Sequence, residues 1–136
     1  MSVIDTLRQV VDTSELLMEA EEYLDQDLAM QCVCIRLLFS SGQEVYVFAE
    51  GTDDSVVVRS KRPDYLSDAA ICPAAATNQW SLAIGRPLLW AWAMTNTQGR
   101  VDGVQVEFGT VDQPGLTLQV VVRASTLRTG VLLHHS

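Results

Sequence analysis

The sequence predicts an α+β fold made mostly of antiparallel strands. Runs in which apolar and polar residues alternate occur in both halves of the chain, and this period of two is typical of strands. Turn-forming residues separate the runs, as at 41–43 and 112–115. We expect two β-meanders that form one sheet, a sandwich or a half-barrel, with one or two helices.

The composition predicts a single domain over residues 1–136. Hydrophobic residues make up 48% of the chain, which is enough for a core and argues against disorder. No apolar run approaches the roughly 20 residues of a membrane span, and the first residues do not resemble a signal peptide. We therefore expect a cytoplasmic protein with no membrane partner.

The N-terminal part allows two interpretations. Residues 1–13 predict a short helix or an irregular lead-in. Asp12 and Glu15 have the spacing of a capping box, and the apolar residues that follow have helical spacing, which predicts a helix over residues 14–28. The alternation of apolar residues after Glu15 also allows an edge strand over Glu15–Tyr23. The sequence leaves both interpretations open.

Residues 29–60 predict a three-stranded meander, with strands at Ala29–Ser40, Glu44–Ala49 and Ser55–Arg59. The alternation then stops. Pro63 can open a short helix that runs to Ala70, and residues 73–78 read as a connection of small residues. The first meander should therefore be complete before residue 61.

A β-hairpin is predicted for residues 86–108, where the alternation is clearest. Bulky side chains occupy every second position at Leu88, Trp90, Trp92 and Met94, with smaller ones between them. We expect this bulky face, including both tryptophans, to lie in the core, because a buried aromatic face often anchors a small domain. Strands are also predicted at 116–124 and, more briefly, at 126–133.

The polar tip of this hairpin, residues 95–103, is a candidate recognition loop. Its glycines permit unusual backbone angles, and rigid hairpins often present binding loops. The alternative is a structural loop that its own side chains hold together. If the loop binds a ligand or partner, the contact residues are Asn96, Gln98, Arg100 and Asp102.

The charge is unevenly distributed along the chain. The net charge is −8, and residues 1–30 alone hold eight acids and one base, which gives −7. Such a surface disfavours nucleic acid and anionic lipid and suits a basic protein partner; the alternative is an ordinary solvated acidic face. The candidate contact residues for that partner are Glu19, Glu21, Glu22, Asp25 and Asp27.

Sequence motifs for catalysis, metals or cofactors do not emerge. Cys32 and Cys34 have a spacing found in some metal sites, but a closed zinc site needs four ligands, and both histidines lie at the C-terminal end. We expect the cysteines, including Cys72, to be reduced structural thiols. No nucleophile elbow, phosphate loop or dinucleotide fingerprint appears. We therefore expect no cofactor and no metal, and a non-enzymatic role is favoured.

The segment from Gly85 to Phe108 resembles a family of small, uncharacterised bacterial domains. The shared features are a Trp-x-Trp strand, then Asn-x-Gln-Gly, then a strand that begins with Asp-Gly; the later run Leu-Gln-Val-Val-Val-Arg-Ala-Ser-Thr-Leu resembles the closing strand. An aromatic residue usually follows the Gln-Gly in that family, whereas this chain has Arg100. The resemblance implies no established activity, although some such proteins resemble the immunity proteins of toxin systems.

Three functions follow as hypotheses. The first is a protein-binding domain, similar to an immunity protein or antitoxin, that binds a basic partner. The second is a homo-oligomeric scaffold, which includes a homodimer, because exposed sheet edges favour self-pairing. The third is a small-molecule binder or an enzyme that uses the 95–103 loop.

Overall fold

The computed structural model describes residues 4–50, 54–75, 78–109 and 115–134. Within these ranges, the chain forms two helices, nine strands and two short 3₁₀ turns. The helices are α1 (Asp5–Asp12) and α2 (Asn78–Ser81). The strands are β1 (Leu17–Asp25), β2 (Gln31–Phe39), β3 (Glu44–Glu50), β4 (Ser55–Arg59), β5 (Ile71–Ala75), β6 (Leu88–Thr95), β7 (Val101–Phe108), β8 (Leu116–Arg123) and β9 (Thr126–His134).

The strands form two antiparallel sheets, which confirms the predicted α+β class. The first sheet has the order β4-β3-β2-β1-β5 and the second has the order β6-β7-β8-β9. Their inner faces share one hydrophobic core, to which Ile35 and Leu37 contribute from β2 and Val106 and Phe108 from β7. The two meanders therefore form two sheets that pack through a common core, and do not form a single sheet.

Both helices contribute to the same core. Leu7 and Val10 of α1 are fully buried in it, as is Trp80 of α2. The Trp80 ring meets the Phe108 ring edge-on, with 6.3 Å between centroids, and the Trp80 indole nitrogen donates to Thr129 Oγ1 at 3.2 Å. The side chains that each helix buries therefore lie between the sheets.

The helix predicted over residues 14–28 is wrong, and the strand alternative is closer. Ser14 has a φ of 53°, which a right-handed helix does not allow, so α1 ends before it. The strand that follows, β1, pairs with β2 on one side and β5 on the other, so it is internal rather than an edge strand. Two neighbouring strands satisfy its backbone groups, which outweighs its local helical pattern.

Other differences concern the second half of the first sheet. The predicted connection at 73–78 is wrong over its first residues, because Pro73–Ala75 form part of β5 and pair with β1. The short helix after Pro63 is confirmed as the 3₁₀ turn Asp64–Ser67 and is shorter than predicted. The predicted turn at 112–115 falls largely outside the described residues.

The hairpin is confirmed, but its bulky face is not buried. The β6–β7 pairing shifts between Leu88 and Trp90, so that Leu89 is an extra residue. Such a bulge reverses the faces of the residues that follow it. Leu88 and Ala91 point into the core, whereas Trp90 and Trp92 are 40% and 41% exposed. The prediction that both tryptophans lie in the core is wrong for this reason.

Candidate functional site

The outer face of the second sheet is the candidate functional surface, and we call it the open face. Cross-strand pairing places Trp92 opposite Gln105, and Gln105 opposite Gln119. The described outward-facing side chains are half-buried or exposed. They are Trp90, Trp92, Met94, Gln105, Glu107, Thr117, Gln119, Val121, Arg123 and Arg128. Among the described elements, both helices and the first sheet bury their side chains on the opposite, inner face.

The two tryptophans form an exposed aromatic pair at the β6 edge of the open face. They are two residues apart on one strand, so their rings leave the same side of the sheet. The Arg8 guanidinium of α1 lies 5.7 Å from the centroid of the Trp90 ring, which is a cation–π distance. Within the described part of the chain, the Trp92 ring makes no aromatic or cation–π contact, so it is the more available of the two.

A shallow depression of about 220 Å³ lies at the opposite edge, between β8 and β9. Its lining residues are Gln119, Val121, Arg128, Thr129, Gly130 and Leu132. Glycine at position 130 leaves this space open. A Cβ atom built there meets no heavy atom within 4 Å. Gly130 pairs with Gln119, so it lies on the same cross-strand row as Trp92.

The outer face of the first sheet is covered, in contrast to the open face. Leu66, from the 3₁₀ turn, packs with Tyr23, Cys34 and Tyr46 in a second, smaller cluster. Arg62 donates to Tyr23 Oη at 3.0 Å and lies 5.3 Å from the centroid of its ring. Burial raises the pKa of Tyr23 to about 12, and the nearby Glu21 carboxylate adds to the shift. This face therefore has its own small core.

The five predicted acidic contact residues do not form one patch. Glu19 and Glu21 lie on the outer face of β1, where Arg36 approaches Glu19 at 3.9 Å. Glu22 points to the inner face and is only 8% exposed. Asp25 accepts a hydrogen bond from the backbone of Asp27 at the 3₁₀ turn after β1. The strand alternation thus divides a run of acids that looks continuous in the sequence.

The hairpin tip is held together by its own groups, and it is shorter than the predicted loop. Asn96 Oδ1 accepts from the backbone N–H groups of Gln98, at 2.9 Å, and Arg100, at 3.1 Å. The backbone N–H of Asn96 donates to the Arg100 carbonyl at 2.9 Å, and Gly99 has a φ of 80°. Asp102 lies in β7 rather than in the loop. The geometry therefore favours the structural interpretation for Asn96, while Gln98 and Arg100 remain exposed.

The cysteines lie at one end of the first sheet, and all three are free thiols. Burial raises the pKa of Cys32 to about 12, to which the adjacent Glu22 carboxylate contributes, and burial also raises the pKa of Cys34. Both groups are therefore poor thiolates and poor nucleophiles at neutral pH. The Gln26 side-chain amide donates to Cys72 Sγ at 3.0 Å.

Metal-ligating side chains do not cluster within the described residues. No group of three or more His, Cys, Asp or Glu side chains there is placed to hold a metal ion. In the same ranges, no helix has the length and apolarity to cross a membrane.

A larger apolar groove, of about 540 Å³, lies where α1 ends and β6 begins. Its lining residues are Val11, Ser14, Leu16, Gly85, Pro87, Leu88 and Leu89. Sequence reasoning missed this groove because it forms between residues that are far apart in the chain. It also missed the open face, although the polar positions Gln105, Glu107 and Gln119 had the alternation of an exposed surface.

Comparison with known proteins gives a family but no activity. No curated protein and no solved structure matches the chain. A family model does match, over residues 7–134, which include every strand of both sheets. The chain therefore belongs to that family, which is described as "Family of unknown function (DUF6334)".

Proposed function

We propose that this chain is a protein-binding domain without catalytic activity, and that the open face is its contact surface. The observation that carries the proposal is the exposed pair Trp90 and Trp92 on a sheet face that no described element covers. Tryptophan is enriched among the residues that dominate binding energy at protein interfaces. Contiguous apolar patches on a surface also commonly mark interaction sites.

The chemistry of the open face defines the kind of partner it suits. Its charged side chains are Glu107, Arg123 and Arg128, and Arg8 reaches it from α1. The face is therefore weakly positive in a chain whose net charge is −8. A partner surface with an apolar pocket and few basic groups would complement it. Binding there depends on aromatic burial more than on charge attraction.

Cross-linking tests this surface whatever the identity of the partner. The full-length chain and its double variant W90A/W92A are cross-linked in cell extract, and the products are identified by mass spectrometry. We expect the double variant to lose partners that the wild type captures. The matched control is M18A/L82A, which removes two exposed apolar side chains outside the open face and should lose none of them. Identical partner sets for all three proteins would contradict the proposal.

The acidic residues support an alternative proposal, namely that the partner is a basic protein, as for an immunity protein, rather than one with few basic groups. Charge at the surface accelerates encounter over long distances even where the acids do not form one contact patch. Reversing two exposed acids in E19K/D27K should then slow association with a captured partner and reduce its salt dependence. An unchanged association rate at low salt would remove the steering role.

A further inference from the structure

We propose that the open face binds a second copy of this chain, so that two copies form a symmetric dimer. In this dimer the Trp92 ring of each copy occupies the Gly130 depression of the other. The inference rests on the proposed function, since it names the partner of the same surface. It makes specific the hypothesis of a homo-oligomer.

The strand register carries the argument. Trp92, Gln105, Gln119 and Gly130 form one row across the four strands. A two-fold axis that runs parallel to the strands, between β7 and β8, keeps this row in place and exchanges its two ends. The β6 edge of one copy then faces the β9 edge of the other. Trp92 and Gly130 are at the two ends of the row, so each Trp92 meets the partner's Gly130, as a self-complementary two-fold interface requires.

The shapes at the two ends of the row are complementary. An exposed indole ring lies at one end, and a depression of about 220 Å³ lies at the other. Arg128 lines this depression, so its guanidinium would lie beside the incoming ring, where a cation–π contact is favourable. Two twisted sheets also prefer to pack with their strands nearly aligned, at about −30°, which suits an axis parallel to the strands.

The charges of the open face allow this pairing in a strongly acidic protein. Its acid, Glu107, lies on β7 in the row of Thr117. The axis places β7 opposite the partner's β8, so each Glu107 faces a threonine rather than another carboxylate. Arg128, on the row of Val121, faces the row of Met94 in the partner. Glu107 and Arg128 therefore each avoid a like charge across this interface.

The size of the face is sufficient for a specific but modest interface. Four strands at about 4.8 Å and eight residues at about 3.4 Å give a footprint of about 500 Å² per copy. The total, about 1,000 Å², is near the lower limit for a biological interface. We therefore expect a dissociation constant in the micromolar range rather than an obligate dimer.

Sedimentation velocity of the full chain, from about 1 µM to about 1 mM, tests the proposal. The wild type should pass from monomer to dimer within this range. The variants W92A and G130Q should each weaken dimerisation at least about 100-fold, since each damages both symmetric contacts. G130Q should fold normally, because Gly130 has no positive φ and open space at its Cβ. The control S67Q adds the same side chain at an exposed position on the 3₁₀ turn and should dimerise like the wild type.

A mixture of the two variants gives the sharpest result. W92A keeps the open depression at Gly130, and G130Q keeps Trp92, so the mixed dimer retains one complete contact between these two groups. Its second contact places the truncated side chain of W92A against the filled depression of G130Q. The mixture should therefore dimerise more tightly than either variant alone. A wild type that stays monomeric throughout would overturn self-pairing, as would a G130Q variant that dimerises normally. Loss of cross-linked partners in W90A/W92A would then still support the proposed function with another protein.

Discussion

The two sheets share one core but differ on their outer faces. On the first sheet, the segment after β4 folds back and buries Tyr23, Cys34 and Tyr46 under Leu66. On the second sheet, no described element does the same, and Trp90 and Trp92 remain about 40% exposed. Both outer faces carry aromatic side chains. The difference teaches that a covering segment, rather than the side chains of the sheet itself, decides which outer face becomes core.

The largest effect is expected on the inner face of the second sheet. Phe108 is fully buried and packs edge-on against Trp80. F108A should lower the free energy of unfolding by about 3–5 kcal/mol, from lost burial and the cavity that remains. Urea denaturation measures this loss of stability. A loss below about 1 kcal/mol, which is typical of a surface substitution, would mean that the inner face is not the shared core.

Removal of the cover from the first sheet should have the second largest effect. Leu66 is 4% exposed and packs on Tyr23, Cys34 and Tyr46. L66A should lower the free energy of unfolding by about 2–4 kcal/mol and expose this cluster to solvent. The control L82A truncates a leucine that is 41% exposed and lies outside the open face, and it should change the free energy of unfolding by less than about 0.5 kcal/mol. Equal losses of stability in the two variants would contradict the conclusion that Leu66 is part of a buried cluster.

On the covered face, Glu44 is expected to make a pH-dependent contribution of intermediate size to the free energy of unfolding. Hydrogen bonds from Arg36 and Tyr46 lower the pKa of Glu44 below its ordinary value of 4.5. Its contribution to stability is therefore present above about pH 4.5 and is lost as the pH falls through the lowered pKa. E44Q should cost at most about 1 kcal/mol at pH 7, since the Glu44 side chain is 39% exposed and screened by solvent.

A double-mutant cycle with R36Q isolates the Glu44–Arg36 interaction. The coupling between the two positions should be present at about pH 7 and should be weaker at about pH 3, as measured by urea denaturation at both values. A coupling that does not change with pH would show that the pair does not depend on the charge of Glu44.

The smallest effect on stability is expected for Trp92. W92A removes a large aromatic side chain, yet it should lower the free energy of unfolding by no more than about 1 kcal/mol, because 41% of the side chain is already exposed and its removal leaves no closed cavity. The comparison is best made in the G130Q background, where dimerisation does not contribute. A loss of about 2 kcal/mol or more, as for a core side chain, would place the Trp92 ring in the core and remove the open face.

Much of the strand content follows from the alternation of residues, as β2, β3, β4, β7 and β8 show. The local sequence pattern gave wrong predictions where pairing with neighbouring strands outweighed it. The helical spacing after Glu15 gave way to the two strands that flank β1, and Pro73–Ala75 became a strand because β1 offered it an edge. Of the candidate site, the outward direction of Gln105 and Glu107 could be predicted, but the faces of Trp90 and Trp92 could not.

The sequence by itself determined the fold class, the two meanders and the hairpin, because a period of two and turn residues are local properties of the chain. Only the tertiary structure decided the placement of the tryptophans and the row that joins Trp92 to Gly130. The bulge at Leu89 turns the side chains that follow to the other face, and it depends on how β6 pairs with β7. The cover on the first sheet likewise depends on contacts between residues far apart in the chain, such as Leu66 with Tyr23.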